Sequence, residues 1–164
     1  MNHPSKTEAF WQSYLSTLSE EEQKNAPPYV VDQFADTPEA ATKVGKLVRD
    51  GVKTTTSSLV WGLEHIGQPL PKVGNIELIV DGNGEPLCII ELTEVEIKPF
   101  NAVDEQFAYE YGEGERTLSY WLRDNWEYLS RCVMKSGVNQ TKLCRLSFNA
   151  FACCIPRTDI SRSQ

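Results

Sequence analysis

Ile76-Glu77-Leu78-Ile79-Val80-Asp81-Gly82-Asn83-Gly84-Glu85-Pro86-Leu87-Cys88-Ile89-Ile90-Glu91 is where the hydrophobic period of this chain changes. Ile76 to Val80 reads as a strand, Asp81-Gly82-Asn83-Gly84 as a turn, and Leu87 to Ile97 as the returning strand. Upstream of this hairpin the apolar residues recur at helical spacing instead. Helices that precede and interrupt a mainly antiparallel sheet define an α+β protein.

Working back from the hairpin, each helix start carries a chemical signal. Ser5-x-x-Glu8 is a capping box, and Phe10, Trp11, Tyr14, Leu15 and Leu18 form one apolar stripe, so a first helix should run to about Leu18. Ser19-x-x-Glu22 starts a second short turn, which Pro27-Pro28 stops. Thr37 is placed as N-cap with Pro38 at the first helical position, followed by Ala41, Val44, Leu47 and Val48 on one face. Gly51 stands where a left-handed residue would end that helix. Ser57 to Ile66 reads as another short helix, ended by Gly67.

Forward of the hairpin, Val103 to Tyr111 reads as a helix with Phe107 inward. Thr117 caps the longest helix, whose stripe is Leu118, Trp121, Leu122, Asn125, Tyr128, Leu129, Cys132 and Val133, with Gly137 closing it. Leu143 to Ile155 is a final strand or strand pair, and Arg157 to Gln164 a polar tail expected to be disordered.

Composition bounds what such a chain does. Its 164 residues fit one domain with a real core. No stretch approaches the roughly 20 apolar residues of a membrane span, and Met1 to Lys6 has no apolar signal core, so a cytoplasmic protein without membrane partners is expected. A net charge of −7 argues against coating nucleic acid by bulk electrostatics, while leaving room for a local basic pocket. Lys43, Lys46 and Arg49 are most simply the wet face of their helix. The five cysteines, Cys88, Cys132, Cys144, Cys153 and Cys154, include no C-x-x-C pair and are expected as buried thiols. With His3 and His65 the only histidines, a His/Cys zinc site and a Ser-His-Asp triad are both disfavoured. No cofactor is implied with certainty; a carboxylate-bound Mg²⁺ or Mn²⁺ stays open.

The candidate site follows the helix that ends at Gly51. Lys53-Thr54-Thr55-Thr56-Ser57-Ser58 sets one lysine beside a run of hydroxyls. A solvated loop looks the same, but a lysine held at a helix terminus binds phosphate, or serves as a base if burial lowers its pKa. Glu91 shares a strand face with β-branched apolar residues, so its carboxylate needs a raised pKa or a partner such as Lys53 or Arg116, and a structural ion pair at the sheet rim is as good a reading as a pocket role. In Gly112-Glu113-Gly114-Glu115-Arg116 the glycines let the backbone approach a ligand and free Glu113 to orient, whereas helix capping alone accounts for Glu115. Arg116 would clamp a phosphate or pair with these acids. Of the numerous aromatics, including Tyr109, Tyr111, Tyr120, Trp126 and Tyr128, Trp61 is the candidate for stacking a base, and Trp121 reads as core.

An ordered set of motifs carries a resemblance: Gly51-x-Lys53-Thr54-x-Thr56-Ser57-Ser58-Leu59, Trp61, Glu64, Pro69-Leu70-Pro71, Gly74, Asp81-Gly82-x-Gly84-Glu85-Pro86, Cys88-Ile89-Ile90-Glu91-x-Thr93-Glu94-Val95, and Gly112 to Leu118 before Tyr120-Trp121. In order and spacing the chain resembles the longer bacterial type of ASCH domain, over roughly residues 30 to 155. The resemblance implies a PUA-like fold, a small bent barrel-like sheet flanked by helices. It also implies residues 1–29 as a helical extension, 30–156 as the domain and 157–164 as a tail.

For function the resemblance implies RNA or a modified nucleoside or nucleotide as partner, in three ways. Longer ASCH proteins resemble ribonucleases of single-stranded RNA; here Lys53 would stabilise the phosphorane, Thr54 to Ser58 would bind phosphate, and Tyr128 and Ser130 are further candidates. A small branch removes acyl groups from N4-acylated cytidine through a Lys-x-x-Thr pair and a later Glu. Carried over, Lys53 is the base, Thr56 the nucleophile, and Glu113 or Glu115 the acid. The third way is a module that only binds. Substrate-side contacts fall on Thr54, Ser57, Ser58, Trp61, Glu91 and Arg116.

Overall fold

The computed structural model describes residues 5–136 and 145–154, with side chains described outside 132–136 and 145. The expectations for Gly137, Cys144 and the tail therefore lie outside the described residues, as do those for the side chains of Cys132 and Val133. In chain order the elements are α1 (Lys6–Leu15), α2 (Glu20–Asn25), β1 (Tyr29–Asp32), α3 (Pro38–Arg49), β2 (Thr55–Leu59), α4 (Val60–His65), β3 (Ile76–Val80), β4 (Pro86–Pro99), α5 (Glu105–Glu110), α6 (Leu118–Ser136) and β5 (Arg145–Cys153), with a 3-10 turn at Phe100–Ala102. The strands form one five-stranded sheet in the order β1-β3-β4-β5-β2, α+β as expected. β1 runs parallel to β3, while β3 with β4 and β2 with β5 are antiparallel.

Two compact units divide the described residues. The first draws on residues 5–51, 74–91 and 152–154. Strand alternation organises its centre. Ile76, Leu78 and Val80 of β3 join Ile89 and Trp11 in one cluster, flanked by Phe10, Tyr14 and Tyr29. Ile79 points the other way, toward Gly45 of α3, where a Cβ would fall 3.7 Å from Ile79 Cγ2 and 2.6 Å from Leu87 Cδ1. α3 buries Ala41, Val44, Gly45 and Val48. Each fully buried aliphatic here contributes about 1.5–3 kcal/mol. The caps match their signals: Ser5 accepts from Glu8 N, Ser19 and Glu22 complete a capping box, and Thr37 accepts from Ala40 N. The hairpin turn is an Asx-turn, Asp81 Oδ1 accepting from Asn83 N (2.8 Å) and Glu85 N (3.0 Å).

The second unit comprises residues 52–73, 92–136 and 145–151. Its core is Val103, Ala108, Trp121, Leu129, Leu146 and Phe148, with Leu59, Phe100, Phe107 and Tyr111 packed around it. Trp121 is 1% exposed and lies edge-on to Phe107 and Tyr111 at 6.0 and 5.9 Å, confirming it as core. β2 pairs with β5 from Thr55↔Ala150 to Leu59↔Leu146.

Several expectations are corrected. The hydroxyl run is not a loop: Thr55 to Leu59 is strand, and the helix read from Ser57 begins at Val60. The reason is tertiary, since β5 supplies the hydrogen bonds and threonine suits a half-buried strand. α1 ends at Leu15 rather than Leu18, because Ser16 and Thr17 turn their hydroxyls onto the carbonyls of Ser13 and Tyr14. β1 went unassigned: Tyr29-Val30-Val31 is β-prone but too short to show a period, and pairing with β3 makes it a strand. The thiols are not uniformly buried: Cys88 is buried, Cys154 half-buried and Cys153 exposed.

Candidate functional site

The site belongs to the second unit and is built on the C-terminal end of α5. The last carbonyls of a helix lack intrahelical partners and carry the negative end of its dipole. Here the lysine segment meets Glu110 O and Tyr111 O, and adds a second donor to Phe107 O, which already accepts from Tyr111 N. Thr55 Oγ1 donates to Phe107 O (3.2 Å), Thr54 N to Glu110 O (2.8 Å), and Lys53 Nζ to Tyr111 O (3.2 Å). Phe151 N of β5 donates back to Thr54 O (3.0 Å), fixing the segment from its other side.

Lys53 is 1% exposed, an unusual place for an ammonium. Glu113 Oε1 meets its Nζ at 2.8 Å, and the Tyr111 ring lies 3.2 Å below it. Burial pulls the ammonium pKa from 10.5 down to about 8, and Glu113 holds it from falling further. The amine is therefore mainly charged at pH 7, with a neutral fraction larger than that of a solvated lysine. The Glu113 side chain keeps 27% exposure, so one end of the pair reaches solvent. Buried desolvation, reinforced by Glu113, pushes the Tyr111 phenol well above its ordinary range. That hydroxyl takes a hydrogen bond from Ser57 and approaches Asn125 Oδ1 at 3.4 Å, while Asn125 Nδ2 donates to Trp121 O.

Two glycines set this geometry. At Gly112 (φ 75°) a Cβ would stand 2.6 Å from Val52 O and 2.7 Å from Lys53 Cα, so the chain lies flat against the lysine's backbone. At Gly114 (φ 57°) a Cβ would enter the Tyr120 ring. Only glycine meets both demands, positive φ and contact with no side chain.

Of the expected site residues, the structure brings Lys53 and Glu113 together; Glu115 is exposed. Thr55 and Ser57 face Phe107 and Tyr111, which puts the half-buried Thr56 on the opposite face of β2, its backbone opposite Asn149. Thr54 and Ser58 are half-buried. Trp61 stacks on His65 at 5.3 Å between ring centroids. Arg116 does not pair with the neighbouring acids: its Nε donates to Tyr109 O (3.0 Å) and its guanidinium covers the Tyr109 ring at 3.8 Å. Glu91 is exposed, beside Tyr14 and Cys154 in the first unit. Its face of β4 opens to solvent from Glu91 onward, so the carboxylate needs no partner. Tyr111 as the floor under the lysine, with Asn125 behind it, went unassigned in the sequence. Tyr111 counted there only as one aromatic among many. Among the described residues no three His, Cys, Asp or Glu side chains gather as a metal site, and no helix is long and apolar enough to cross a membrane.

An α+β domain with a five-stranded sheet and a lysine–glutamate pair at a helix end has clear relatives. The family model of the ASCH domain matches residues 30–154, and the chain belongs to that family, which is generally related to RNA binding. Among solved structures it is similar to an ASCH domain from Lactobacillus crispatus, 27% identical, with a TM-score of 0.85 over 94% of this chain and 97% of that one. It is also similar to a protein from Enterococcus faecalis, 30% identical, with a TM-score of 0.75 over 90% of this chain and 87% of that one. No curated protein matches it.

Proposed function

We propose that this ASCH domain binds single-stranded RNA or a nucleotide around Lys53 and cleaves it with ribonuclease-type chemistry. One observation carries the reading: a lysine 1% exposed, with pKa near 8, held 2.8 Å from a partly exposed glutamate. An ammonium and a carboxylate in contact, one of them reaching solvent, form the unit that proton transfer needs. The Glu113 carboxylate takes the proton of the attacking 2′-hydroxyl. The Lys53 ammonium stabilises charge on the phosphorane and protonates the leaving oxygen. The hydroxyls of Thr54, Ser57 and Ser58 and the Trp61 ring are the proposed binding groups.

The lowered lysine pKa supports a second reading, amide hydrolysis of N4-acylated cytidine. There neutral Lys53 takes the proton of Thr56, Thr56 Oγ attacks the carbonyl, and Glu113 protonates the leaving amine. Thr56 facing away from Ser57 on β2 places this reading second. A module that binds the same ligand without turning it over is the third.

One oligonucleotide separates them: a single-stranded RNA carrying one N4-acetylcytidine, followed by mass spectrometry with Mn²⁺ or with chelator. The expected result is strand cleavage that falls about 100-fold or more in Lys53→Met, which keeps the buried stem and removes the charge. Loss of acetyl from an intact strand, abolished by Thr56→Val, would transfer the assignment to the amidohydrolase. An unchanged strand that still binds in a Lys53-dependent way would leave a binding module. Loss of cleavage on chelation would add a divalent ion to the first reading.

A further inference from the structure

Cys88 and Cys153 lie in the first unit, apart from the lysine site, and the proposed chemistry uses neither. Cys88 sits in β4 with 1% exposure, opposite Ile79 of β3. Cys153 ends β5 and is exposed. The hydrogen bond from Cys154 N to Ile89 O (2.8 Å) draws the end of β5 against β4 at the residue after Cys88. The two thiols meet there and hydrogen-bond to each other. Both are thiols, not a disulfide. A contact of this kind on adjacent strands needs little backbone movement to reach the span of a disulfide.

The two sulfurs stand in unequal surroundings. One is open to solvent; the other is packed in the sheet. The bond with Cys153 and burial hold the Cys88 thiol protonated, against a weaker opposing influence of Arg49. Cys154, half-buried, is turned away, its thiol engaged with Tyr14 and Ala152 O. An exposed thiol with a sheltered thiol beside it is the arrangement in which the first is oxidised and the second resolves the product.

We infer that Cys88 and Cys153 form a reversible oxidation site, in which a peroxide oxidises Cys153 and Cys88 closes a cross-strand disulfide. The Cys153 thiolate attacks one peroxide oxygen, the O–O bond breaks, and hydroxide leaves, giving a sulfenic acid. Cys88 sulfur then attacks the Cys153 sulfur, the S–O bond breaks, and the Cys88 proton goes out with the departing oxygen as water. In sum two thiols lose two electrons and two protons, and one peroxide becomes two waters. A dithiol reductant reverses it by thiol–disulfide exchange. Closure ties the end of β5 covalently to β4 across a long loop, which restricts the unfolded chain.

The test uses the full chain, reduced, freed of reductant and exposed to hydrogen peroxide. Thiols are then alkylated under denaturing conditions and peptides mapped by mass spectrometry. The expected result is loss of two alkylatable thiols per chain, a linked peptide pair containing Cys88 and Cys153, a melting temperature raised by about 5 °C, and full reversal by dithiothreitol. Cys153→Ser, a surface change that should leave the fold intact, should keep Cys88 fully alkylatable. Cys88→Ser should instead leave a Cys153 sulfenic acid that dimedone traps, and Cys154→Ser should leave the linked pair unchanged. A link between Cys153 and Cys154, a link between chains, or peroxide-treated protein with Cys88 and Cys153 both still alkylatable would overturn the inference.

Discussion

Lys53 in the second unit and Glu77 in the first are both ionisable side chains set into packed structure, and the protein treats them in opposite ways. Lys53 has an opposite charge at 2.8 Å, a carbonyl at the end of α5 and a ring face beneath it. Glu77, half-buried in β3, has the like charge of Asp32 on the neighbouring strand β1, and burial with that charge pushes its carboxyl up to about 7. Desolvation also raises the Asp32 carboxyl, although the residue as a whole is exposed, so its share is the smaller. A buried charge with a partner is held in place by that partner; a crowded charge facing its own kind is a cost that varies with pH.

The largest expected effect breaks the lysine side of this contrast without touching a charge. Gly112→Ala places a Cβ 2.6 Å from Val52 O at φ 75°, and backbone cannot step aside as a side chain would. A loss of about 4 kcal/mol in urea unfolding is expected, with the proposed RNA cleavage lost too. A loss below about 1 kcal/mol would show that this loop does not hold Lys53.

Next comes the pH profile. The folded pKa of Lys53 lies below its unfolded value, so between about 8 and 10.5 the unfolded chain binds the extra proton. The Lys53 contribution to stability should therefore be flat below pH 8 and rise above it, by about 3 kcal/mol in total. Above pH 10 Tyr14, raised to about 12, opposes the rise, because there the folded state keeps the proton. In Glu113→Ala the rise should begin at lower pH, since the influence that holds the lysine pKa up is gone. Unfolding free energies across pH 6–10 for both proteins decide the matter; superimposable curves would remove Glu113 as the counter-charge.

The smallest effect sharpens the other side. A carboxyl raised from 4.5 to about 7 makes the folded state lose stability as pH climbs through that range. Glu77→Gln mimics the protonated form. With Glu77 half-exposed only part of the shift counts, so a gain of about 1 kcal/mol at pH 7.5 and none at pH 4 is expected from thermal melts. Equal stability at both values would mean that solvent relieves the crowding.

The same contrast separates what the sequence could disclose from what it could not. Helix starts are written locally, and Ser5, Ser19, Thr37, Asp104 and Thr117 all accept the hydrogen bonds their positions require. The hairpin from Ile76 to Pro99 was legible for the same reason. Glu113 stood out because glycines flank it. β2 was hidden, since its partner residues, Leu146 to Ala150, lie far along the chain. The burial of Lys53 was hidden likewise: a lysine in a hydroxyl run reads as solvated until α5 and Glu113 arrive some sixty residues later.

Gly112 has a last consequence, in the language of the genetic code. Every single-base change of a glycine codon that alters the amino acid yields a residue with a Cβ. At this position all such changes meet the same backbone oxygen at the same distance, whatever lies beyond the Cβ. Point mutation alone therefore has no route away from glycine here that does not also move Lys53. A lineage that keeps the lysine site should keep glycine here, with only the silent third base free, while Glu115, exposed two residues past Glu113, drifts freely.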